Sequence, residues 1–405
     1  MTDQDSLSGQ MLAPVIRRAI IALALGAFGS GMSMRVADPM LVRLGHDFSI
    51  SVAIASWAVT LFGFAYGMAQ LLFGPLGDRY GKVRVVAYGC AACSVSALLC
   101  GLAPDFSSLL AARAVAGAMA ASVIPLSMAW IGDVVPYESR QPVLAKFLIG
   151  QILGLSSGVV VGGWCADYAG WRLPFFLITV WFAATSAYLM LVNRELPVEA
   201  RMMHVSADSG LNRMLVEFRR VLAVPWARQV LLTVSLEGAV TCGALAFVPA
   251  HLHSVYGLSL ASSGSLVMLF GLGGLLFAAR SRQLVSRLGE VGLIRSGALL
   301  MGGSLTLLAL TPFWWLAFPA CSGFGLGFYM MHNTLQINAT QMAPERRGAA
   351  VAAFASCFFL GQAAGVAIGG VVLAMAGTDW LLASSGVLVI AIGLRFARLR
   401  QRKTD

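Results

Sequence analysis

Charge is scarce in this chain of 405 residues: Asp, Glu, Lys and Arg make up 11% of it, whereas 58% is hydrophobic. So few charged side chains cannot clothe a water-soluble domain, and a mean hydropathy of +0.80 excludes one. Histidine is also sparse. His46, His204, His251, His253 and His332 are scattered along the chain, so they supply no catalytic metal cluster at membrane depth. No GxxxxGK[ST] phosphate loop occurs, and no polar stretch is long enough to house a nucleotide-binding domain, which removes a nucleotide-driven pump. The net charge of +10 is not a nucleic-acid signature, because the basic residues fall in short gaps between apolar runs and form no patch.

The seven cysteines are equally uninformative as chemistry. Cys90, Cys93, Cys100, Cys242, Cys321 and Cys357 lie inside apolar runs and Cys165 at the end of one, which argues against disulfides. Cys90 and Cys93 share a helical face, but without histidine or acidic neighbours they read as small packing residues. No metal, cofactor or enzymatic chemistry is implied.

What is abundant is the apolar run of roughly 20 residues, the length that spans a bilayer as a helix. Twelve such runs are expected, near 17–44, 51–75, 84–103, 107–132, 142–165, 173–192, 226–252, 259–279, 292–311, 313–340, 347–376 and 380–397. Asp3 and Asp5 precede Arg17 and Arg18, so the first run reads as an uncleaved span. An even number of spans puts both termini on one side. Of the 28 Lys and Arg, 24 fall in the terminal segments and alternate gaps of that side, the exceptions being Arg35, Arg43, Arg113 and Arg172. Positive charge resists translocation, so these ends are expected in the cytoplasm and the protein in the inner membrane.

The longest polar stretch divides the spans six and six. This gives an N-terminal bundle over 1–192, a cytoplasmic linker over 193–225, and a C-terminal bundle with a basic tail over 226–405. In the linker Leu211, Met214, Leu215, Phe218 and Leu222 recur at helical spacing beside Arg213, Arg219 and Arg220, which predicts a short helix on the membrane surface. The halves look like diverged copies. A shift of 208 residues pairs Leu76, Arg79, Gly81 and Pro136 with Leu284, Arg287, Gly289 and Pro344; a shift of 211 pairs Gly150, Gln151, Gly154 and Gly158 with Gly361, Gln362, Gly365 and Gly369. Such duplication is the usual trace of a transporter whose halves rock about a central site.

Between the second and third spans stands GPLGDRYGKVR, with Gly74, Leu76, Gly77, Asp78, Arg79, Gly81, Lys82 and Arg84 at a specific spacing. Gly77 and Gly81 permit a tight turn and close helix approach. Asp78 can face the positive end of a neighbouring helix. Arg79 is expected to pair with Asp133 or Glu138. This loop resembles the signature of the major facilitator superfamily, and the resemblance covers nearly the whole chain. It implies an all-α integral membrane fold of twelve transmembrane helices in two pseudo-symmetric six-helix bundles. It also implies a latch between them, formed by this loop when the cytoplasmic side is closed. The second copy is degenerate, with Arg282 for Gly74 and Ser286 for Asp78.

Ionisable groups inside spans are expensive, so each is a functional candidate. Glu237 lies nine residues beyond Arg228, about 14 Å into its span at ~1.5 Å per residue, with no cation within a turn. A carboxylate there suits a proton carrier; the competing reading is an acid satisfied by polar neighbours on other helices. Arg35 and Asp38 share a face one turn apart, before Pro39, and compete with an interfacial ion pair. Arg113, followed by Gly117, resembles the superfamily's fourth-span pattern for proton coupling; its alternative is a snorkelling arginine. The RVADPML segment resembles the first span of bacterial twelve-helix efflux members.

Gly150, Gly154, Gly158, Gly162 and the adjacent Gly163 form a ladder that lets two helices approach closely. It resembles the antiporters' fifth-span signature, with Val159 where their proline stands. By the same resemblance spans 1, 4, 7 and 10 line the cavity, with Asp38, Arg113, Glu237, Asn333 and Gln336 as lining residues and Gln151 beside them. His332 reads as hydrogen-bonded packing. Eighteen methionines and 22 phenylalanines fit an adaptable apolar pocket. The expectation is proton-coupled export of a small amphipathic molecule, with protons, substrate and membrane lipid as partners, and with no nucleic acid and no protein partner. Uptake by symport or facilitation, and a non-transporting receptor, are the competing readings.

Overall fold

The computed structural model describes residues 13–201 and 211–404, without the side chains of 137, 138, 211–215, 403 and 404. Every regular element among them is helical. The spans are α1 (Pro14–Asp47), α2 (Val52–Tyr80), α3 (Lys82–Leu102), α4 (Phe106–Val134), α5 (Tyr137–Tyr168), α6 (Leu173–Glu195) and α7 (Pro225–Tyr256). They continue as α8 (260–288), α9 (290–310), α10 (Ala317–Gln341), α11 (347–376) and α12 (378–404). Among the described residues nine stretches are long and apolar enough to cross a membrane. Two of them are each divided by a glycine with positive φ, Gly289 and Gly377, and α10 escapes a hydropathy reading because its second half carries His332, Asn333, Gln336 and Asn338. The membrane fold therefore has twelve spans.

The charged turn is shorter than its sequence suggests. α2 runs through Pro75 to Tyr80 and α3 starts at Lys82, so Gly81 alone leaves the helix, at φ +88°. Its counterpart Gly289 does the same at φ +63° between α8 and α9. Side chains rarely adopt that backbone region, which accounts for glycine at both copies. Gly81 also gives room to the linker, since a Cβ there would stand 2.7 Å from the Arg201 carbonyl oxygen. The short helix Val198–Arg201 is held there by Trp130, whose Nε1 donates to the Ala200 carbonyl at 2.8 Å.

Helices in lipid gain little from hydrophobicity when they pair, and close approach of small residues takes its place. Gly150, Gly154, Gly158 and Gly162 on α5 stand over the carbonyls of Ala24, Phe28, Met32 and Val36 on α1, so close that a Cβ at Gly154 or Gly162 would overlap the oxygen. In the second half Gly361 and Gly365 on α11 stand likewise over Ser235 and Ala239 on α7. The shift of 211 maps both partners of each contact, glycine and carbonyl. The shift of 208 does the same for α4 on α2, where Gly117 meets the Phe62 carbonyl, and for α10 on α8, where Gly325 meets that of Phe270. The six-helix bundles are thus copies at the level of backbone packing.

Gly163 departs from the ladder. It faces the other bundle, against Leu260 and Ala261 of α8, because the residue after a four-residue step lies about 100° around the helix. Gly264 of α8 in turn meets the Val159 carbonyl, and Ala261 N donates to Asp167 Oδ2 at 2.7 Å. On the opposite flank α2 and α11 touch through Gly63, Gly67 and Gly370, with Ser356 Oγ donating to the Gly67 carbonyl at 2.7 Å. The α5–α8 contacts and Gly370 lie towards the ends remote from the basic ends, whereas Gly63, Gly67 and Ser356 bring the contact of α2 with α11 to mid-span. Towards the basic ends Gly74 has open space around it, and Leu72, Leu76, Leu275 and Leu276 are exposed. Among the described residues the close backbone contacts between the bundles run from the far rim to mid-span.

The linker helix Leu211–Ala223 is present but does not simply lie on lipid. Val221 is buried and Phe218 packs against the core of the second bundle, while Glu217 Oε2 accepts from Arg346 Nε at 2.6 Å; Leu222 is exposed. The side chains of Leu211, Arg213, Met214 and Leu215 lie outside the described residues.

Replacing Gly154 by leucine forces α5 off α1, and overpacking of this kind costs about 1–3 kcal/mol. We expect G154L to lower the thermal unfolding midpoint in detergent by several degrees, whereas G303L, at a glycine with nothing within 4 Å, leaves it within about a degree. Equal midpoints would contradict the packing role.

Candidate functional site

Arg35, Asp38, Arg113 and Glu237 are buried among the spans. α1 tightens into a single 3₁₀ turn at Asp38–Met40, because Pro39 supplies no N–H to continue the helix. Arg35 Nη1 lies 2.9 Å from Asp38 Oδ2, and both side chains are buried. The pair is therefore not an interfacial one open to water.

Arg113 does not snorkel. It is fully buried on α4, where Nε donates to the Ala58 carbonyl of α2 at 3.0 Å and Nη1 to the Ser33 carbonyl of α1 at 2.9 Å. Its guanidinium carbon lies 4.2 Å from the centre of the Phe62 ring. Gly117, one turn on, has no Cβ to hold Phe62 away, which gives the Arg113/Gly117 spacing a structural reason. Nη2 has no hydrogen-bond partner, and Asp38 is within electrostatic reach.

Glu237 ends the regular part of α7. The next residues, Gly238–Cys242, form a π turn, and Thr241 Oγ1 donates to the Glu237 carbonyl at 2.6 Å. Such bulges are frequent at functional sites. Gly238 and Gly243 press this turn onto the α11 backbone at Phe358 and Gly365. The carboxylate is completely buried. Its Oε2 meets His332 Nδ1 of α10 at 2.9 Å, while Oε1 has no partner. His332 stacks on Phe328, with ring centres 4.9 Å apart and planes 13° apart, and lies beside Phe354 and Phe358. The hydrogen bond expected of His332 goes to the buried acid 95 positions away in sequence, a partner that no local pattern reveals. Cys242 lies within electrostatic reach of Arg35, Asp38 and Glu237, so charges from both bundles converge on one region.

The remaining expected residues divide. Asn333 is half-buried and its Nδ2 donates to the Tyr329 carbonyl of its own helix at 2.8 Å; Gln336 and Gln151 are half-buried. In the charged turn Lys82, not Arg79, holds the acid of the next basic-end loop: Nζ lies 2.7 Å from Asp133 Oδ2 and 3.2 Å from Asp78 Oδ1. Lys82 begins α3 and so points at α4, whereas Arg79 lies over the Tyr80 ring at 5.2 Å. The Glu138 side chain lies outside the described residues. Arg84 lies over Tyr88 at 5.7 Å, and Gly77 makes room for Leu126 of α4. All these contacts stay inside the first bundle.

A lysine at 113 can reach one carbonyl but cannot bridge two helices while stacking on Phe62. R113K is expected to lower the unfolding midpoint by several degrees, through loss of about 1–3 kcal/mol. An unchanged midpoint would remove the guanidinium bridge as the tie between α1, α2 and α4.

Known proteins bear on this architecture. The chain is 26% identical over 352 residues to the MFS-type transporter YceJ of Bacillus subtilis, covering 85% of this chain and 86% of YceJ. It is 30% identical over 157 residues to the multidrug export protein EmrB of Haemophilus influenzae, covering 39% of this chain and 31% of EmrB. A crystal structure of a POT family transporter in complex with 5-aminolevulinic acid superposes with a TM-score of 0.76 at 15% identity, covering 96% of this chain and 97% of that one. The sequence pattern of the Major Facilitator Superfamily matches residues 23–365, and with two packed copies of a six-helix bundle around buried charge, this chain belongs to that superfamily of membrane transporters.

Proposed function

We propose that the protein exports a small amphipathic molecule across the inner membrane in exchange for protons, by alternating access. The observation that carries this reading is the completely buried Glu237, paired with His332 of α10 and followed by the π turn of α7. An isolated carboxylate in lipid is expensive unless it is paired or protonated. With one oxygen on His332 and the other unpartnered, Glu237 can take up a proton and yield it as its surroundings open to either side. The first bundle adds the Arg35–Asp38 pair and the buried Arg113, a net charge of one cation. The partial likeness to the multidrug export protein EmrB supports export over uptake.

Lysine and arginine bias assigns the basic ends and both termini to the cytoplasm. On that assignment the conformation is closed outward, with Asp167, Gly163, Gly264 and Gly370 forming the outer seal and the contact of Ser356 with Gly67 below it at mid-span. Closing the basic rim would bring the turn of Gly74, Asp78 and Arg79 against the second bundle, where Gly74 now has room. Asp78 then trades Lys82 for the positive N-terminus of α11, and the turn acts as an inner latch.

In everted membrane vesicles with an acid interior, the native chain should accumulate amphipathic fluorescent dyes, and E237Q should lose at least tenfold of the proton-driven rate while keeping its unfolding midpoint. Dye accumulation only in right-side-out cells would reverse the direction. Full activity of E237Q would remove the carboxylate from coupling.

A further inference from the structure

The basic end of α12 carries charge that the fold does not neutralise. Arg395, Arg398 and Arg402 follow one another at helical spacing on one face, over about 10 Å at ~1.5 Å per residue. The opposite face, with Phe396 and Ala397, is buried in the second core. Arg400 pairs with Glu290, with its Nε 2.8 Å from Oε2, so that acid is already engaged. Arg395 Nη2 donates to Gln229 Oε1 of α7 at 2.9 Å, a neutral partner that leaves the charge standing. Arg398 and Arg402 have no protein partner among the described residues. Like charges one turn apart on a helix repel unless an anion lies between them.

The surface around them is a shallow groove in two parts. One is lined by Arg395, Arg398 and Arg402 with Leu394 and Leu399 between them; the other by Leu399 and Arg402 with Pro225, Trp226 and Gln229 at the start of α7. Trp226 stacks on Phe396, with ring centres 5.6 Å apart, and marks the level of the membrane boundary. Cations at the rim over an apolar floor that continues towards the bilayer match a ligand with an anionic head and a hydrocarbon tail. We propose that this groove binds the phosphodiester headgroup of an anionic phospholipid, with Arg398 and Arg402 on the phosphate and Leu394 and Leu399 along the first part of an acyl chain. A helix C-terminus alone would favour one cation there. It does not account for a row of them over an apolar floor shared with a second helix.

The test uses the full chain in neutral detergent, with retained lipid read by native mass spectrometry and the unfolding midpoint read in parallel. Phosphatidylglycerol should bind and raise the midpoint, whereas phosphatidylcholine and inorganic phosphate at the same concentration should not. R398Q/R402Q should weaken phosphatidylglycerol binding roughly 30-fold, at about fivefold per charge, with its midpoint in phosphatidylcholine unchanged. R398K/R402K should keep most of the binding, and R280Q/R282Q, which removes two basic-end arginines elsewhere, should stay within about twofold of the parent. Undiminished binding by R398Q/R402Q, an equal loss in R280Q/R282Q, or equal stabilisation by inorganic phosphate would each overturn the lipid site.

Discussion

Everything in this molecule hangs on backbone lying directly on backbone. Lipid gives helices no hydrophobic reason to associate, so α5 and α11 each present a ladder of glycines to the carbonyls of α1 and α7. Contacts this short leave the paired helices one register and no play. Each bundle can then move as a unit, and a charge fixed on one helix keeps its depth relative to its neighbours. Val159 stands where antiporter sequences carry proline, and its carbonyl is used by Gly264 of the other bundle, so that position serves the seam between bundles.

On this duplicated scaffold the chemistry is not duplicated. Gly117 over Phe62 and Gly325 over Phe270 are the same contact, yet Arg113 has Cys321 as its counterpart at a shift of 208. At a shift of 211 Arg35 and Asp38 correspond to Ala246 and Pro249, and Glu237 to Gly26. The first bundle therefore brings a buried ion pair and a fixed arginine, and the second brings an acid joined to an imidazole. The two packed copies thus share their backbone contacts and differ in the ionisable groups they bury. The contacts of α5 with α8 hold the bundles together at the rim remote from the basic ends, and those of α2 with α11 run from that rim to mid-span.

The spans, the duplication and the site's acid were legible because each leaves a local mark: apolar length, residue spacing, a carboxylate far from any polar gap. Gly77 and Gly81 were both expected to permit the tight turn; Gly81 takes the positive φ, and Gly77 stays helical against Leu126. What escaped depends on contacts between distant helices. The partner of His332 is one, because Glu237 is 95 residues away. Arg79 and Lys82 were interchangeable until the start of α3 aimed Lys82 at Asp133. Gly163 seemed one more rung because spacing alone does not say which helix a face will meet. The π turn after Glu237 has no sequence signal beyond its glycines, since it arises where α7 is pressed onto α11.

The central claim is that two rigid bundles exchange openings about the buried charges. It is tested most directly by pulsed electron spin resonance distances between spin labels on opposite bundles in a cysteine-depleted chain. One pair joins the basic ends at Ala145 and Val285, and another the far rim at Tyr168 and Ser262. As pH is lowered and substrate-like dyes are added, the basic-end distance should shorten in a population whose far-rim distance lengthens, and E237Q should shift that balance. Distances that stay fixed, or that change together in the same sense, would contradict it.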